Sequence, residues 1–213
     1  MSNTAASLTR IGRTLGITAV VLAIVTAAIL GTLAAQPASS AARAFSEILP
    51  GGNAGSSAIG GRAVTDDDGV LPESVNVADD RYAGIANLDP ALLQALREAA
   101  ADAADDGIEF VINGGWRSPA YQDRLLGEAI SAYGSAEEAA RWVATAETSA
   151  HVSGDAVDLG PSEATAWLSA NGAGYGLCQV YANEPWHYEL LPEAVDGGCP
   201  IMYSDPTQDP RMQ

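Results

Sequence analysis

The feature that most constrains this chain is an uncharged apolar run near its N-terminus. Residues 15–35 carry no charged side chain over twenty-one positions. A helix rises about 1.5 Å per residue, so this length spans the roughly 30 Å hydrocarbon core of a bilayer. We interpret the run as a transmembrane signal anchor. Arg10 and Arg13 precede it and no acidic residue occurs before Glu47, so the positive-inside rule places residues 1–14 in the cytoplasm.

A cleaved secretory signal is the alternative interpretation of the same run. The apolar cores of signal peptides usually have about 7–15 residues and are shorter than this one. The segment Ala42-Arg43-Ala44 nevertheless has the small residues of a cleavage site. Both interpretations export the rest of the chain, which becomes either a single-pass protein of the cell membrane or, if the anchor is cleaved, a secreted protein.

The cysteines are consistent with export. Cys178 and Cys199 are the two cysteines of the chain, and an extracytoplasmic compartment permits disulfide bonds. We therefore predict a bond between them, which would tie the C-terminal segment back to the domain. Two separate buried thiols are the alternative.

The charge balance excludes one class of partner. The chain has 27 acidic residues against ten basic ones, all of them arginine, and a net charge of −17. Nucleic-acid binding requires clustered lysine or arginine to contact phosphates, so this class of function is excluded. The acidic run Asp66-Asp67-Asp68 is interpreted as a solvated surface.

Residues 36–80 are rich in alanine, serine and glycine and show no sustained amphipathic period. We interpret them as a flexible linker. A folded domain over residues 81–203 and a short C-terminal tail over residues 204–213 are predicted to follow.

The folded domain mixes helical and extended patterns in irregular order. Four helices are predicted, beginning near Pro90, Pro119, Ser135 and Ser162. Four short strands are predicted over residues 108–112, 156–159, 176–180 and 186–190. Because the order lacks the regular alternation of a parallel βαβ sheet, the sequence predicts the α+β class.

Both histidines of the chain lie close to acidic residues. His151 and Asp158 share the segment 149–158, and His187 follows Glu184 by three positions. A catalytic zinc site takes three protein ligands and leaves one position for water, and His nitrogens and Asp oxygens are accepted donors. His151, Asp158 and His187 supply such a set, and Gly154 would let the backbone turn between the first two.

Glu184 is predicted to act beside this metal without binding it. A carboxylate next to the attacking water can accept its proton and pass it to a leaving amine. The alternative is that His151 and His187 are ordinary hydrogen-bonded histidines. The acidic flanks of both segments favour the metal site.

These segments resemble the zinc D-alanyl-D-alanine carboxypeptidases of the VanY type and the related murein peptidases. The family pattern Ser-x-His-x-x-Gly-x-Ala-x-Asp is met by residues 149–158, and Glu-Pro-Trp-His by residues 184–187. Further segments look like those of the family, namely Trp116-Arg117-Ser118, Tyr121-Gln122, Trp167-Leu168 and Tyr175-Gly176. The resemblance covers residues 88–190.

The resemblance implies a fold, a cofactor and roles for individual residues. It implies a small antiparallel sheet flanked by helices around a zinc site. Zinc would be bound by His151, Asp158 and His187, and Glu184 would be the general base. The resemblance also implies that the peptidoglycan stem peptide is the substrate.

Three further residues are implied to bind this substrate: Arg117, Ser149 and Gln122. A guanidinium pairs in two-pronged fashion with a carboxylate, so Arg117 suits the C-terminus of a peptide. A surface salt bridge is the alternative for Arg117. Capping or turn formation is the alternative for Ser149.

The expected function is a membrane-anchored, extracytoplasmic zinc D-alanyl-D-alanine carboxypeptidase that acts on peptidoglycan stem peptides. A murein endopeptidase or L,D-peptidase with the same metal chemistry is one alternative. A catalytically silent cell-wall-binding module is another, and Glu184 argues against it because a binding module has no need of a base. The expected partners are the stem peptide and, through one N-terminal helix, the membrane.

Overall fold

A five-stranded antiparallel sheet organises residues 63–213, the part of the chain that this computed structural model describes. The strands in chain order are β1 (Val75–Asn76), β2 (Val111–Gly114), β3 (Ala156–Gly160), β4 (Leu177–Gln179) and β5 (His187–Leu190). Their order in the sheet is β1-β2-β3-β5-β4, and every neighbouring pair is antiparallel. The predicted α+β class with a small antiparallel sheet is confirmed.

Seven α-helices flank this sheet in the described range. They are α1 (Ala83–Ala86), α2 (Pro90–Asp105), α3 (Pro119–Tyr133), α4 (Ala136–Ala139), α5 (Ala150–Ser153), α6 (Ser162–Asn171) and α7 (Ala194–Gly197). Short 3₁₀ turns occupy Asp66–Asp68, Gly172–Tyr175, Pro206–Gln208 and Pro210–Met212.

The caps explain why the longer helices begin where the sequence predicts. The Asp89 carboxylate accepts hydrogen bonds from the amides of Ala91 and Leu92, and Pro90 occupies the first turn of α2. The Ser118 hydroxyl likewise accepts from the Tyr121 amide at the start of α3. Each cap satisfies amides that have no partner within the helix.

The core lies between α2 and the sheet. The buried face of α2 carries Leu92, Leu96, Ala99 and Ala103, at the spacing of an amphipathic helix. These side chains belong to one hydrophobic cluster with buried residues of the strands, among them Ile112, Val157 and Tyr188. Burial of each large apolar side chain contributes about 1.5–3 kcal/mol, so this cluster fixes the sheet against the helix.

The register of the central strands places polar residues side by side. Asp158 of β3 pairs with Gly114 of β2 on one side and with His187 of β5 on the other. Residues directly opposite each other in an antiparallel pair project from the same face. The pairing therefore brings the side chains of Asp158 and His187 together.

The predicted linker extends too far along the chain. Within the described part, β1 pairs with β2, and Val75 and Val77 are buried in the core. Asp68, expected on a solvated surface, is buried. A two-residue strand is too short to show alternation in a sequence, so composition alone suggested a linker. The rest of the predicted linker, the predicted anchor over residues 15–35 and residues 1–14 lie outside the described residues.

The predicted tail also packs against the domain. Residues 204–213 form two 3₁₀ turns in which Asp205 and Asp209 are buried. Both aspartates cap the turns that follow them. Within residues 63–213 no helix has the length and apolar character to cross a membrane.

Candidate metal centre

Three buried side chains converge at the edge of the core. His151 lies on α5, Asp158 on β3 and His187 at the start of β5, and their exposed fractions are 6%, 7% and 5%. Asp158 Oδ1 is 3.3 Å from His151 Nε2 and 3.4 Å from His187 Nδ1. One ligand atom from each residue lies within 4.8 Å of the others, so this group could hold a metal ion.

The second nitrogen of each imidazole faces an acceptor. His151 Nδ1 lies 2.9 Å from the main-chain oxygen of Gly115, and His187 Nε2 lies 3.3 Å from Glu189 Oε1. When the ring is neutral, an N–H donated to these oxygens leaves the opposite nitrogen, the one facing Asp158, with a free lone pair. Such outer acceptors usually orient histidines that bind metals.

The three side chains fit zinc in donor type, and the two distances from Asp158 fit its geometry. Zinc binds imidazole nitrogen at about 2.0–2.1 Å, so donors around a tetrahedral ion lie about 3.3 Å apart. The distances from Asp158 Oδ1 to the two histidine nitrogens, 3.3 and 3.4 Å, match this value. With three protein donors, a fourth position would remain for water or substrate.

The charges around the two histidines differ. Burial lowers the pKa of His151, and the nearby Arg117 guanidinium lowers it further, so this ring is neutral, as a ligand must be. Burial alone would also lower the pKa of His187, but hydrogen bonds with Asp158 and Glu189 outweigh it and raise this pKa to about 10. The two carboxylates therefore favour positive charge at His187 while no cation is bound, and an ion bound at Nδ1 would displace the proton from that nitrogen.

Asp158 stays ionised although it is buried. Burial raises the pKa of its carboxyl, but His151 and Arg117 oppose this effect, and the pKa lies well below its ordinary value. An anionic carboxylate between two imidazoles is the charge state that a divalent cation requires.

Glu184 lies beside the three candidate ligands. It is 5% exposed, and its Oε2 is 4.0 Å from His187 Nδ1. Burial raises the pKa of Glu184 to about 7, and the negative charge of Asp158 also raises it. The positive charges of His187 and Arg117 lower this pKa but do not outweigh burial. A carboxyl with a pKa near neutrality can both accept and return a proton.

Arg117 is directed at the candidate ligands and not at the protein surface. Its Nη2 donates to Asp158 Oδ2 at 2.5 Å, and the Arg117 side chain is 13% exposed. A surface salt bridge therefore does not describe this residue. Gly114 provides the space for the pair, because a Cβ atom there would lie 2.6 Å from Asp158 Oδ2 and 2.9 Å from Arg117 Nη2.

Gln122 supports Arg117 in this structure. Gln122 is 1% exposed; its Oε1 accepts from Arg117 Nη1 at 3.3 Å, and its Nε2 donates to the Ala144 carbonyl at 2.9 Å. The sequence predicted that Gln122 binds the substrate. Its amide is engaged by protein atoms at both ends and supports Arg117, and substrate binding by Gln122 stays a prediction.

Ser149 occupies the N-cap position of α5, but its side chain makes no capping hydrogen bond. The residue is 5% exposed and lies two positions before His151. Capping therefore does not explain this serine. Gly154, four residues after the start of α5, has a φ of +86°, and a Cβ atom there would lie 2.6 Å from the Asn87 carbonyl oxygen, so the turn between His151 and Asp158 requires glycine.

The loop that carries Arg117 is held by the segment predicted as linker. The Asp68 carboxylate accepts from the Ser118 hydroxyl at 2.9 Å, and the Ser118 amide donates to the Asp68 carbonyl at 2.8 Å. The Arg117 amide in turn donates to the His151 carbonyl at 3.0 Å. The loop and the ligand helix α5 are thus bonded to each other.

Sequence reasoning missed the residues behind His187. Glu189 is 3% exposed, contacts His187 Nε2 and receives two hydrogen bonds from Arg211. Alternate residues of a strand share a face, so the position of Glu189 two residues after His187 was a usable signal. Nothing in the local sequence marks Arg211, because its contact depends on how the C-terminal residues fold back.

Cys178 and Cys199 form a disulfide bond across a sequence separation of 21. Cys178 lies on β4, where it pairs with Glu189 of β5. The bond therefore anchors the C-terminal segment next to the strand that carries His187.

Comparison with known proteins agrees with this geometry. The family model of the D-alanyl-D-alanine carboxypeptidase VanY matches residues 86–193, about half of the chain. This range contains the three candidate ligands, Glu184 and Arg117.

One curated relative is a D-alanyl-D-alanine carboxypeptidase of Enterococcus faecalis (strain ATCC 700802 / V583). It is 30% identical over 111 residues, which cover 40% of this chain and 41% of the relative. The chain thus spans about two fifths of the length of that protein.

Two solved structures are similar. One is a mutant of the vancomycin resistance D,D-pentapeptidase VanY in complex with Zn(II), with a TM-score of 0.50 and 22% identity over 61% of this chain and 88% of the other. The second is VanYB in complex with D-alanine-D-alanine, with a TM-score of 0.48 and 25% identity over 52% and 74% of the two chains. The first similarity shows a shared fold.

Proposed function

Because this chain belongs to the VanY family of D-alanyl-D-alanine carboxypeptidases, we propose that it is an extracytoplasmic zinc carboxypeptidase that removes the terminal D-alanine of peptidoglycan stem peptides. One observation carries the proposal. A buried His-Asp-His group with the spacing of zinc donors lies directly beside a buried carboxyl, Glu184, that is able to exchange a proton.

His151, Asp158 and His187 would hold the ion. A zinc ion supplies Lewis-acid chemistry, lowering the pKa of water and polarising a carbonyl oxygen. The outer bonds to Gly115 and Glu189 keep the two imidazoles in the orientation that presents a free nitrogen towards Asp158.

Glu184 would move the proton. Its carboxylate accepts a proton from the attacking water and then delivers it to the nitrogen of the departing D-alanine. General acid-base catalysis of this kind contributes roughly 10²–10⁴-fold to the rate.

Arg117 would recognise the free carboxylate of the substrate. A guanidinium has five N–H donors, and within residues 63–213 its side chain makes two hydrogen bonds, to Asp158 and Gln122. The remaining donors are available for a two-pronged bond with the C-terminal carboxylate of a peptide. This contact would distinguish a carboxypeptidase from an enzyme that cuts internal bonds.

Ser149 is proposed as a further substrate contact. Ser149 stands at the N-cap of the ligand helix, is buried, and does not use its hydroxyl for capping. A hydroxyl there can donate to or accept from the backbone of a bound peptide.

A digest of purified muropeptides followed by mass spectrometry tests the function. With zinc present, the chain should convert a pentapeptide stem ending in D-Ala-D-Ala to the tetrapeptide, with loss of one alanine. Release of internal fragments would instead support the endopeptidase, and shortening of a tetrapeptide stem would support the L,D-peptidase. No product with zinc-loaded protein would contradict the proposed activity.

The membrane anchor is proposed from residues 15–35 of the sequence. The full chain should remain in the membrane fraction after a carbonate wash, and externally added protease should digest the domain in spheroplasts. Release of a shortened protein into the medium would indicate a cleaved signal.

A further inference from the structure

A continuous set of charged contacts runs from His187 to the C-terminal residues. Glu189 Oε1 is 3.3 Å from His187 Nε2. Arg211 donates to both oxygens of Glu189, at 2.6 Å from Nη1 to Oε2 and at 3.2 Å from Nη2 to Oε1. Arg211 Nη2 also donates to Asp209 Oδ2 at 2.5 Å, and the Tyr181 hydroxyl donates to the same oxygen at 2.9 Å.

The acids in this set are buried although the arginine is half exposed. Glu189 is 3% exposed and Asp209 is fully buried, whereas the Arg211 side chain retains 50% of its exposure. Buried carboxylates require a charged or hydrogen-bonding partner. Arg211 provides that partner to both of them from the outside of the domain.

The segment that carries Arg211 is fixed at several points. Its beginning is tied to β4 by the disulfide between Cys178 and Cys199. Tyr203 then exchanges main-chain hydrogen bonds with Val180 and Ala182, and Arg141 Nε donates to Asp205 Oδ2 at 3.1 Å. Residues 199–213, here termed the C-terminal clamp, therefore have a defined path that starts beside β4 and brings Arg211 to Glu189 of β5.

We propose that the C-terminal clamp positions the candidate metal ligand His187, with Glu189 and Arg211 as the positioning residues. This inference rests on the proposed zinc site. Arg211 holds the Glu189 carboxylate by two parallel hydrogen bonds, and the carboxylate holds the His187 ring with Nδ1 directed at Asp158. A bidentate arginine pair restricts rotation of the carboxylate, which a single contact would not.

The clamp is expected to act on metal affinity as well as on overall stability. Loss of an outer hydrogen-bond partner of a metal-binding histidine typically weakens metal binding by about 10–100-fold. Removal of Arg211 leaves Glu189 in place but free to turn away from His187. The affinity for zinc should therefore fall even where the domain remains folded.

The test compares zinc binding by the purified full chain and its variants in detergent. Competition with a chromophoric chelator gives the zinc dissociation constant, and thermal unfolding with and without zinc gives the increase in Tm due to the ion. Arg211→Met should raise the dissociation constant by about tenfold or more and reduce the increase in Tm. Arg211→Lys, which retains the charge, should recover part of the affinity.

Arg81→Met is the matched control. Arg81 makes a two-pronged pair with Asp79 on the surface, distant in sequence from the clamp, and its removal should leave zinc binding unchanged. If Arg211 has a purely structural role, Arg211→Met should lower the Tm of the metal-free and the zinc-loaded protein equally. The zinc dissociation constant should then remain that of the wild type. That result would overturn the inference.

Glu189→Gln keeps the test decisive if Arg211→Met does not fold. The amide retains an acceptor for His187 but loses the charge that attracts Arg211, so zinc binding should again weaken. Wild-type affinity in Glu189→Gln would contradict the positioning role. If the wild-type chain itself binds no zinc, the proposed function fails and this inference fails with it. If the wild type binds zinc tightly and none of the clamp variants changes the affinity, only this inference is refuted.

Discussion

The two histidines of the candidate metal centre are held by different kinds of partner. His151 faces a neutral main-chain oxygen, that of Gly115, from a loop that is itself bonded to the ligand helix. His187 faces a carboxylate, Glu189, which is paired with an arginine near the end of the chain. Burial and the nearby Arg117 lower the pKa of His151, whereas at His187 hydrogen bonds with Asp158 and Glu189 outweigh burial and raise the pKa to about 10.

This difference indicates how each side of the site is built. The His151 side depends on backbone geometry, in which glycines at positions 114 and 154 permit close approaches. The His187 side depends on charges contributed by the C-terminal residues. Loss of a distant charged residue should therefore disturb the position of His187 more than that of His151.

Replacing either histidine should have the largest effect. His151→Ala and His187→Ala each remove one of three protein donors, and we expect zinc content to fall from about one ion per chain to near zero. Elemental analysis of the purified proteins measures this. Stoichiometric zinc in either variant would show that the ion is bound elsewhere.

Glu184→Gln should strongly reduce turnover while leaving all three candidate ligands in place. The amide has nearly the same size but cannot accept the proton of water, so kcat should fall by roughly 10²–10⁴-fold. Zinc content should remain that of the wild type, which separates this variant from the ligand variants. Near-normal kcat would place the base on another residue.

Arg117→Ala tests the His151 side of the site. Loss of the guanidinium should reduce kcat/KM on a D-Ala-D-Ala peptide by an amount equivalent to about 2–5 kcal/mol if the bound carboxylate is buried. Amidation of the peptide's C-terminus should impair the wild type strongly and the variant little. Equal impairment of both enzymes would mean that Arg117 does not bind the carboxylate.

Removal of the disulfide should have the smallest effect on catalysis. In a Cys178→Ser, Cys199→Ser variant the clamp loses one attachment but keeps the contacts of Tyr203 and Asp205. Unfolding free energy should fall by about 2–4 kcal/mol, while kcat with saturating zinc changes little. Denaturant unfolding measures the loss, and unchanged stability would show that the bond adds nothing to the fold.

The sequence predicted those parts of the molecule whose signals are local. The caps Asp89 and Ser118 begin their helices as expected because a side chain and the amides it bonds lie within three residues. The three candidate ligands were identified because two short motifs contain them. Their convergence follows from pairing of β3 with β5.

The remaining parts depend on contacts between distant residues. Asp68 belongs to an acidic run, yet it is buried because Ser118, fifty positions later, donates to it. Arg211 looks like a charged residue in a polar tail, and its contact with Glu189 forms only when residues 199–213 fold back onto the domain. The composition of a segment does not show which hydrogen-bonding partners a distant segment supplies to it.

The pairing of Asp158 with His187 has a consequence for how the chain folds. The two residues lie opposite each other on strands separated in the chain by α6 and β4. A slip of one residue would turn every side chain of one strand to the other face of the sheet, and the ligands would no longer meet. An ion that binds only the correct register adds about 2.7 kcal/mol to its stability at a concentration one hundred times the dissociation constant. The ion would thus select correctly registered chains from misregistered ones before any substrate is bound.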